Sequence, residues 1–103
     1  MARTQAVYYR DERGSEPVAE FIAALPSRDG MKVRAFIREY LNGKAADLPP
    51  PDFPITSQLE GGLRELRIRF GGTRYRVIYQ RSRNLLVLLH ALKKNTAPCR
   101  RER

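Results

Sequence analysis

Basic residues alternate with other residues along two neighbouring segments in the C-terminal half of the sequence. Arg67 and Arg69 occupy alternate positions of the first segment, and Arg74 and Arg76 those of the second. Alternate side chains of an extended strand point to the same face, so each segment would present its arginines together. Arginine is always charged, matches phosphate geometry and can stabilise charge on phosphoryl oxygens. The spacing therefore predicts a surface that binds a phosphate backbone.

A Gly71-Gly72 dipeptide separates the two segments and can supply the positive φ values of a two-residue hairpin turn. Pairing Phe70 with Thr73 then gathers the arginines on one face and leaves apolar residues on the other. The predicted apolar set is Leu66, Ile68, Phe70, Tyr75, Val77 and Tyr79. Like charges opposite one another are unfavourable in a sheet, which indicates an anionic partner. The alternative is a solvated face that Glu65 partly neutralises.

The third C-terminal segment, residues 85–92, begins with an unbroken apolar run that favours a central strand covered on both faces. In the simplest register His90 falls on the Tyr75 side of the sheet, which favours a core histidine over a catalytic one. Lys93 and Lys94 follow this strand beside the glycine turn. We expect them to extend the arginine surface, the alternative being ordinary surface lysines.

Composition bounds the class of protein. The chain has 103 residues and a net charge of +9, for which one compact domain is the natural expectation. Residues 1–58 hold as many acidic as basic side chains, so the excess lies in residues 59–103. The single cysteine, Cys99, excludes an internal disulfide and a multi-cysteine zinc site. We find no signal-peptide or membrane-spanning pattern, and we expect a cytoplasmic location.

The remaining patterns predict an α+β domain of the order β-α-α-β-β-β, with two helices on one face of a mostly antiparallel four-stranded sheet. A first strand is expected at residues 5–10, and helices are expected to begin at the N-caps Ser15 and Ser27. Residues 44–58 contain four prolines and predict an extended connector. The last three strands are predicted at residues 63–70, 73–80 and 85–92.

Three stretches together resemble the RelE/HigB superfamily of toxins from toxin–antitoxin systems, and most closely its phage-related HigB branch. They are LEGGLRELR at 59–67, YRVIY at 75–79 and LLHALKK at 88–94. The resemblance implies a metal-independent endoribonuclease without a cofactor, which enters the ribosomal A site and cuts messenger RNA there. It also implies a cognate helix-turn-helix, HigA-like antitoxin.

By position within these stretches, the resemblance implies catalytic roles for Arg67, Arg69, Arg76 and Lys94. We add Arg64, Arg74 and Lys93 as RNA-binding residues. The expected chemistry is attack of a ribose 2′-hydroxyl on the adjacent phosphate, with arginines stabilising the developing charge. Arginine is a poor general base, so a lysine, a tyrosine or the ribosome's placement of the substrate would have to support deprotonation.

One departure from the family pattern concerns the C-terminus. Many relatives continue into a C-terminal helix that can carry a functional tyrosine, whereas residues 95–103 predict an absent or very short helix. Tyr75 or Tyr79 could substitute only if they left the core face. Two alternatives therefore remain: a ParE-like, non-enzymatic gyrase inhibitor, and a basic RNA-binding module without catalysis.

Overall fold

The computed structural model describes residues 3–45, 47–51 and 54–94, and it confirms the α+β class. The described elements are β1 (Gln5–Tyr8), α1 (Pro17–Ala23), α2 (Ser27–Tyr40), β2 (Thr56–Gln58), β3 (Leu63–Phe70), β4 (Thr73–Ser82) and β5 (Leu85–Lys94). A short 3-10 turn, Glu60–Gly62, leads into β3. The prediction for the C-terminal helix concerns residues 95–103, which lie outside the described residues.

The sheet has five strands in the order β1-β5-β4-β3-β2, with β1 parallel to β5 and the other pairs antiparallel. The prediction of four strands was therefore wrong by one. The additional strand is β2, which pairs with residues 64–66 of β3. Prolines cannot donate a backbone hydrogen bond to a sheet, but β2 begins after the last of them, at Thr56. The predicted connector thus ends in an edge strand.

The helix starts differ from the predicted caps. Glu16 and Pro26 occupy the N-cap positions, and neither Ser15 nor Ser27 makes a side-chain cap hydrogen bond. The Ser15 hydroxyl instead donates to the Glu20 carboxylate at 3.0 Å, and the same carboxylate accepts the Glu16 backbone N–H at 3.1 Å. The Glu20 carboxylate therefore accepts the backbone N–H of the N-cap residue Glu16, as in one half of a capping box.

Both helices pack on one face of the sheet, which we call the covered face. The hydrophobic core between the helices and the sheet consists of Val18, Ile22, Val33, Ile37, Leu41, Leu66, Ile68, Tyr75, Val77, Tyr79, Leu86, Leu88 and Ala91. Gly30 lies buried where the helices approach each other, and a Cβ atom there would lie 3.2 Å from the Ile22 carbonyl oxygen. Within the described residues, no helix covers the opposite face, which we call the open face.

The β3–β4 hairpin has the predicted register. Phe70 pairs with Thr73, Arg69 with Arg74 and Arg67 with Arg76. In the turn, φ is +57° at Gly71 and is not positive at Gly72. A positive φ at the first central residue alone is the pattern of a type II′ turn, which suits the twist of a hairpin.

The β4–β5 pair departs from the expected regular register through a bulge at Leu89. Ile78 pairs with His90 and the next residue, Tyr79, pairs with Leu88. Each residue of β5 after the bulge therefore lies on the face opposite to that expected, and His90 lies on the open face. β5 is an inner strand as predicted, but the expectation that both faces cover it was wrong, because Leu85 is exposed.

None of the helices among the described residues combines the length and the apolar character that crossing a membrane requires.

Candidate nucleic-acid interface

The open face arranges its functional side chains in three rows that run across β5, β4 and β3. The strand register places these rows in order from the Gly71-Gly72 turn: Lys94, Arg74 and Arg69; then Leu92, Arg76 and Arg67; then His90, Ile78 and Glu65. We call the basic members of the first two rows the arginine surface, namely Arg67, Arg69, Arg74, Arg76 and Lys94. All five were predicted as site residues, and the fold brings them together.

Glu65 binds the two arginines of the inner row, Arg67 and Arg76, which is the row farther from the Gly71-Gly72 turn. Its Oε1 accepts a hydrogen bond from Arg67 Nη1 at 3.2 Å, and its Oε2 accepts one from Arg76 Nη1 at 3.3 Å. Ser57 Oγ in β2 also donates to Oε1, at 3.3 Å. Glu65 is only 5% exposed, whereas the Arg67 and Arg76 side chains keep about a quarter of their surface in solvent. The carboxylate thus offsets the repulsion between two arginines that face each other across the strands.

The outer row, which lies next to the Gly71-Gly72 turn, differs from the inner row in its exposure to solvent. Arg69, Arg74 and Lys94 are all exposed, and they flank the hairpin turn on adjacent strands. Long basic side chains at such positions can follow an irregular backbone of phosphates without a large desolvation cost. The arginine surface therefore combines two guanidinium groups that Glu65 holds with two guanidinium groups and one ammonium group that are open to solvent.

A small cleft of about 210 Å³ lies where the arginine surface meets the edge of β3. There the Arg67 backbone N–H donates to the Ile55 carbonyl at 2.8 Å, which fixes the segment after the prolines against the strand. The cleft is lined by basic and aromatic residues together: Phe36, Tyr40, Pro54, Ile55, Arg67, Ile68, Arg69, Arg74, Tyr75 and Arg76. Aromatic rings beside cationic side chains are the combination that binds single-stranded nucleic acid, through base stacking and phosphate contacts.

His90 joins this face although the sequence favoured a core position for it. It is exposed, and it lies two residues along β5 from Leu92, the partner of Arg76. The cause is the bulge at Leu89, and bulges often redirect side chains beside functional sites. A sequence pattern of continuous apolar residues carries no signal for such a bulge, so the position of His90 could not have been inferred.

Two predicted RNA-binding residues lie on the covered side of the sheet. Arg64 pairs with Tyr79, and its Nη2 donates to Thr56 Oγ1 at 2.6 Å. Lys93 pairs with Tyr75, so it points away from Lys94. Strand alternation in β3 thus separates Arg64 from the arginine surface, and the bulge at Leu89 separates Lys93 from it.

The tyrosines that could have replaced a C-terminal tyrosine also lie on the covered face. The Tyr75 hydroxyl donates to Asp29 Oδ2 at 2.6 Å. Burial, together with the hydrogen bond to Asp29 and its negative charge, raises the pKa of Tyr75 from 10.0 to about 12. Tyr79 is 1% exposed. Tyr75 is therefore a poor proton acceptor near neutral pH, and neither hydroxyl belongs to the arginine surface.

Comparison with known proteins gives a family match over most of the chain. Residues 20–102 match the family described as Phage derived protein Gp49-like (DUF891). This family is associated with toxins of toxin–antitoxin systems. A search of curated proteins found no match. A search of solved structures found none either. Since the match spans both helices except the first residues of α1, and all strands but β1, the chain belongs to the phage-derived Gp49-like family.

Proposed function

We propose that this protein is the toxin of a toxin–antitoxin system and that it cleaves messenger RNA on the ribosome. The observation that carries the proposal is the arginine surface, in which Glu65 holds Arg67 and Arg76 side by side on the open face. A phosphodiester placed across these two guanidinium groups would receive hydrogen bonds from both. The exposed outer row would bind the neighbouring phosphates, and the aromatic cleft would receive a base.

The proposed reaction is an internal transesterification. The ribose 2′-oxygen attacks the adjacent phosphorus and the bond from phosphorus to the 5′-oxygen breaks, which leaves a 2′,3′-cyclic phosphate and a free 5′-hydroxyl. Negative charge grows on the equatorial phosphoryl oxygens during this step. Arg67 and Arg76 would stabilise that charge because they are oriented before the substrate binds.

Two further residues of the open face suit the proton transfers. His90 and Lys94 lie on β5 on either side of the row that contains Arg76, about 13 Å apart along the strand. In-line displacement needs a base and an acid on opposite sides of the phosphorus, and both side chains can reach toward it. We assign the 2′-hydroxyl proton to His90, which carries the only imidazole of the chain, and protonation of the leaving 5′-oxygen to Lys94.

The partners follow from the same surface. A neutralising antitoxin would need to cover or displace the arginine surface, and acidic or helical segments could do so. The ribosome would complete the site by holding the messenger in a reactive conformation, which agrees with a cytoplasmic location. If the product of a neighbouring reading frame does not co-purify with the protein, the antitoxin part of the proposal is lost.

The decisive experiment incubates the protein with translating ribosomes and maps the ends of the messenger. We expect cleavage within the ribosome-bound codon and intact RNA when ribosomes are omitted. Efficient cleavage of naked RNA would contradict the ribosome dependence. Binding of RNA without any cleavage would instead favour a non-catalytic RNA-binding module, and inhibition of DNA gyrase without messenger cleavage would favour a ParE-like activity.

A further inference from the structure

A second cavity lies on the covered side of the sheet, between the end of α2, the strands and residues 48–51, which we call the proline-rich segment. Its volume is about 500 Å³, within the range of small-molecule sites. Most of its wall is apolar, and a few charged side chains reach it. The polar side chains of the lining that matter for binding are Glu39, Lys44, Arg64, Tyr79 and Arg81.

Two buried hydrogen-bond donors in this wall are unsatisfied. Among the described residues, neither Arg64 Nε nor the Tyr79 hydroxyl has a hydrogen-bond partner. The two residues are directly opposed on β3 and β4, so their side chains leave the sheet next to each other. Nearly all buried polar groups in native proteins are paired, and two neighbouring exceptions in one cavity indicate that something else satisfies them.

The surroundings of Arg64 hold its guanidinium in place. Its Nη2 donates to Thr56 Oγ1 at 2.6 Å, and the Thr56 hydroxyl in turn donates to the Pro51 carbonyl. Thr56 is fully buried. The unpaired Nε is therefore presented by a fixed group rather than by a mobile surface side chain.

Charge and shape together select the class of ligand. Three of the charged lining residues are basic, Lys44, Arg64 and Arg81, against the single acidic Glu39. The two unsatisfied atoms both donate, so the ligand must present acceptors, and a carboxylate offers two oxygens to two adjacent donors. The apolar wall formed by leucines and prolines suits a hydrocarbon body attached to that carboxylate.

We propose that this cavity binds a small organic acid, with its carboxylate on Arg64 Nε and the Tyr79 hydroxyl and its apolar body against the proline-rich segment. The site is separate from the arginine surface, because Arg64 and Tyr79 lie on the covered face and the arginine surface lies on the open face. The proposal therefore does not depend on whether the protein cleaves RNA.

The test uses 4-phenylbutyrate as the probe and its uncharged amide as the matched control, with binding followed by calorimetry and by shifts of backbone amide resonances. We expect saturable binding of the acid, with the largest shifts in β2, residues 64–66 of β3 and residues 79–81 of β4. We expect the amide to bind at least about tenfold more weakly, since it lacks the charge. Absence of saturable binding, or equal binding of acid and amide, would overturn the proposal.

Variants distinguish binding of the acid in this cavity from a general attraction of anions to a basic protein. Tyr79→Phe removes only the unpaired hydroxyl and should fold normally, and it should weaken binding of the acid about tenfold. Arg64→Gln should weaken it further. Arg69→Ala removes a positive charge from the open face and should leave the affinity within about twofold. If Arg69→Ala weakens binding as much as Tyr79→Phe does, the acid binds the basic surface and the assignment is wrong.

Discussion

The two faces of the same sheet place their charged and hydroxyl groups in different surroundings. On the open face, Arg67 and Arg76 converge on Glu65, and the outer basic residues remain exposed. On the covered face, Arg64 is tied to Thr56, and the Tyr75 hydroxyl is tied to Asp29. Strand alternation in β3 and β4, together with the bulge at Leu89 in β5, produces this division, since neighbours in sequence point to opposite faces. Position on a face, rather than residue type, therefore decides which basic residues we assign to RNA.

The largest effect is expected from Arg76→Ala. This side chain would stabilise charge on the phosphoryl oxygens, so its loss should lower ribosome-dependent cleavage about 100- to 1,000-fold. Glu65 keeps Arg67 as a partner, so the free energy of unfolding should change by less than about 1 kcal/mol. A melting curve measured beside the cleavage assay checks both parts. A stable variant with full activity would contradict the role of Arg76.

A smaller effect is expected from His90→Ala, which tests the consequence of the bulge. Removal of a proton-transfer group should lower cleavage about 100-fold. The side chain is exposed, so stability should not change. Gln80→Ala is a matched control, because Gln80 is exposed on the open face of β4 but lies farther from the arginine surface. Equal activity of both variants would show that His90 takes no part in the reaction.

Glu65→Gln is expected to act through the arginines. The substitution keeps the shape of the side chain but removes the charge that both guanidinium groups share, so cleavage should fall about tenfold. The free energy of unfolding should fall by about 1–3 kcal/mol, since two partly buried charge-assisted hydrogen bonds to a buried carboxylate weaken. In the double variant with Arg76→Ala, the activity losses should not multiply, because both changes disturb one unit. Fully multiplicative losses would contradict a positioning role.

Tyr75, on the covered face, is expected to affect the free energy of unfolding at high pH but not the cleavage of RNA at neutral pH. Because folding raises the pKa of Tyr75 from 10.0 to about 12, the protonated phenol stabilises the fold fully below pH 10, and this contribution is lost as the pH rises toward 12. Between pH 9 and 12, wild type should lose about 2 kcal/mol more than Tyr75→Phe in urea unfolding. Parallel losses in the two proteins would show that Tyr75 does not contribute to the alkaline transition.

The β3–β4 hairpin was predictable because its signals are local. Gly71 fixes the turn, and a one-residue slip would bury Arg67 and Arg76, so only one register keeps the arginines in solvent. The role of Glu65 could be inferred only in part, as a neutralising charge, since its bonds to Arg67, Arg76 and Ser57 together depend on the meeting of β2, β3 and β4.

Other features depend on contacts that no short pattern encodes. The strand β2 follows four prolines, and it forms because the edge of β3 offers unpaired backbone groups to Thr56–Gln58. The bulge at Leu89 moves His90 to the open face and places Lys94, rather than Lys93, beside Arg74. Both depend on long-range pairing rather than on composition.

The adjacent lysines of β5 provide the most direct test of the central claim that the open face, and not basic charge in general, acts on RNA. Lys93 and Lys94 are both exposed and have the same charge, but they point to opposite faces. In the ribosome-dependent cleavage assay, Lys94→Ala should lose at least about tenfold in rate, and Lys93→Ala should stay within about twofold of wild type. Equal losses, or a larger loss for Lys93→Ala, would contradict the account.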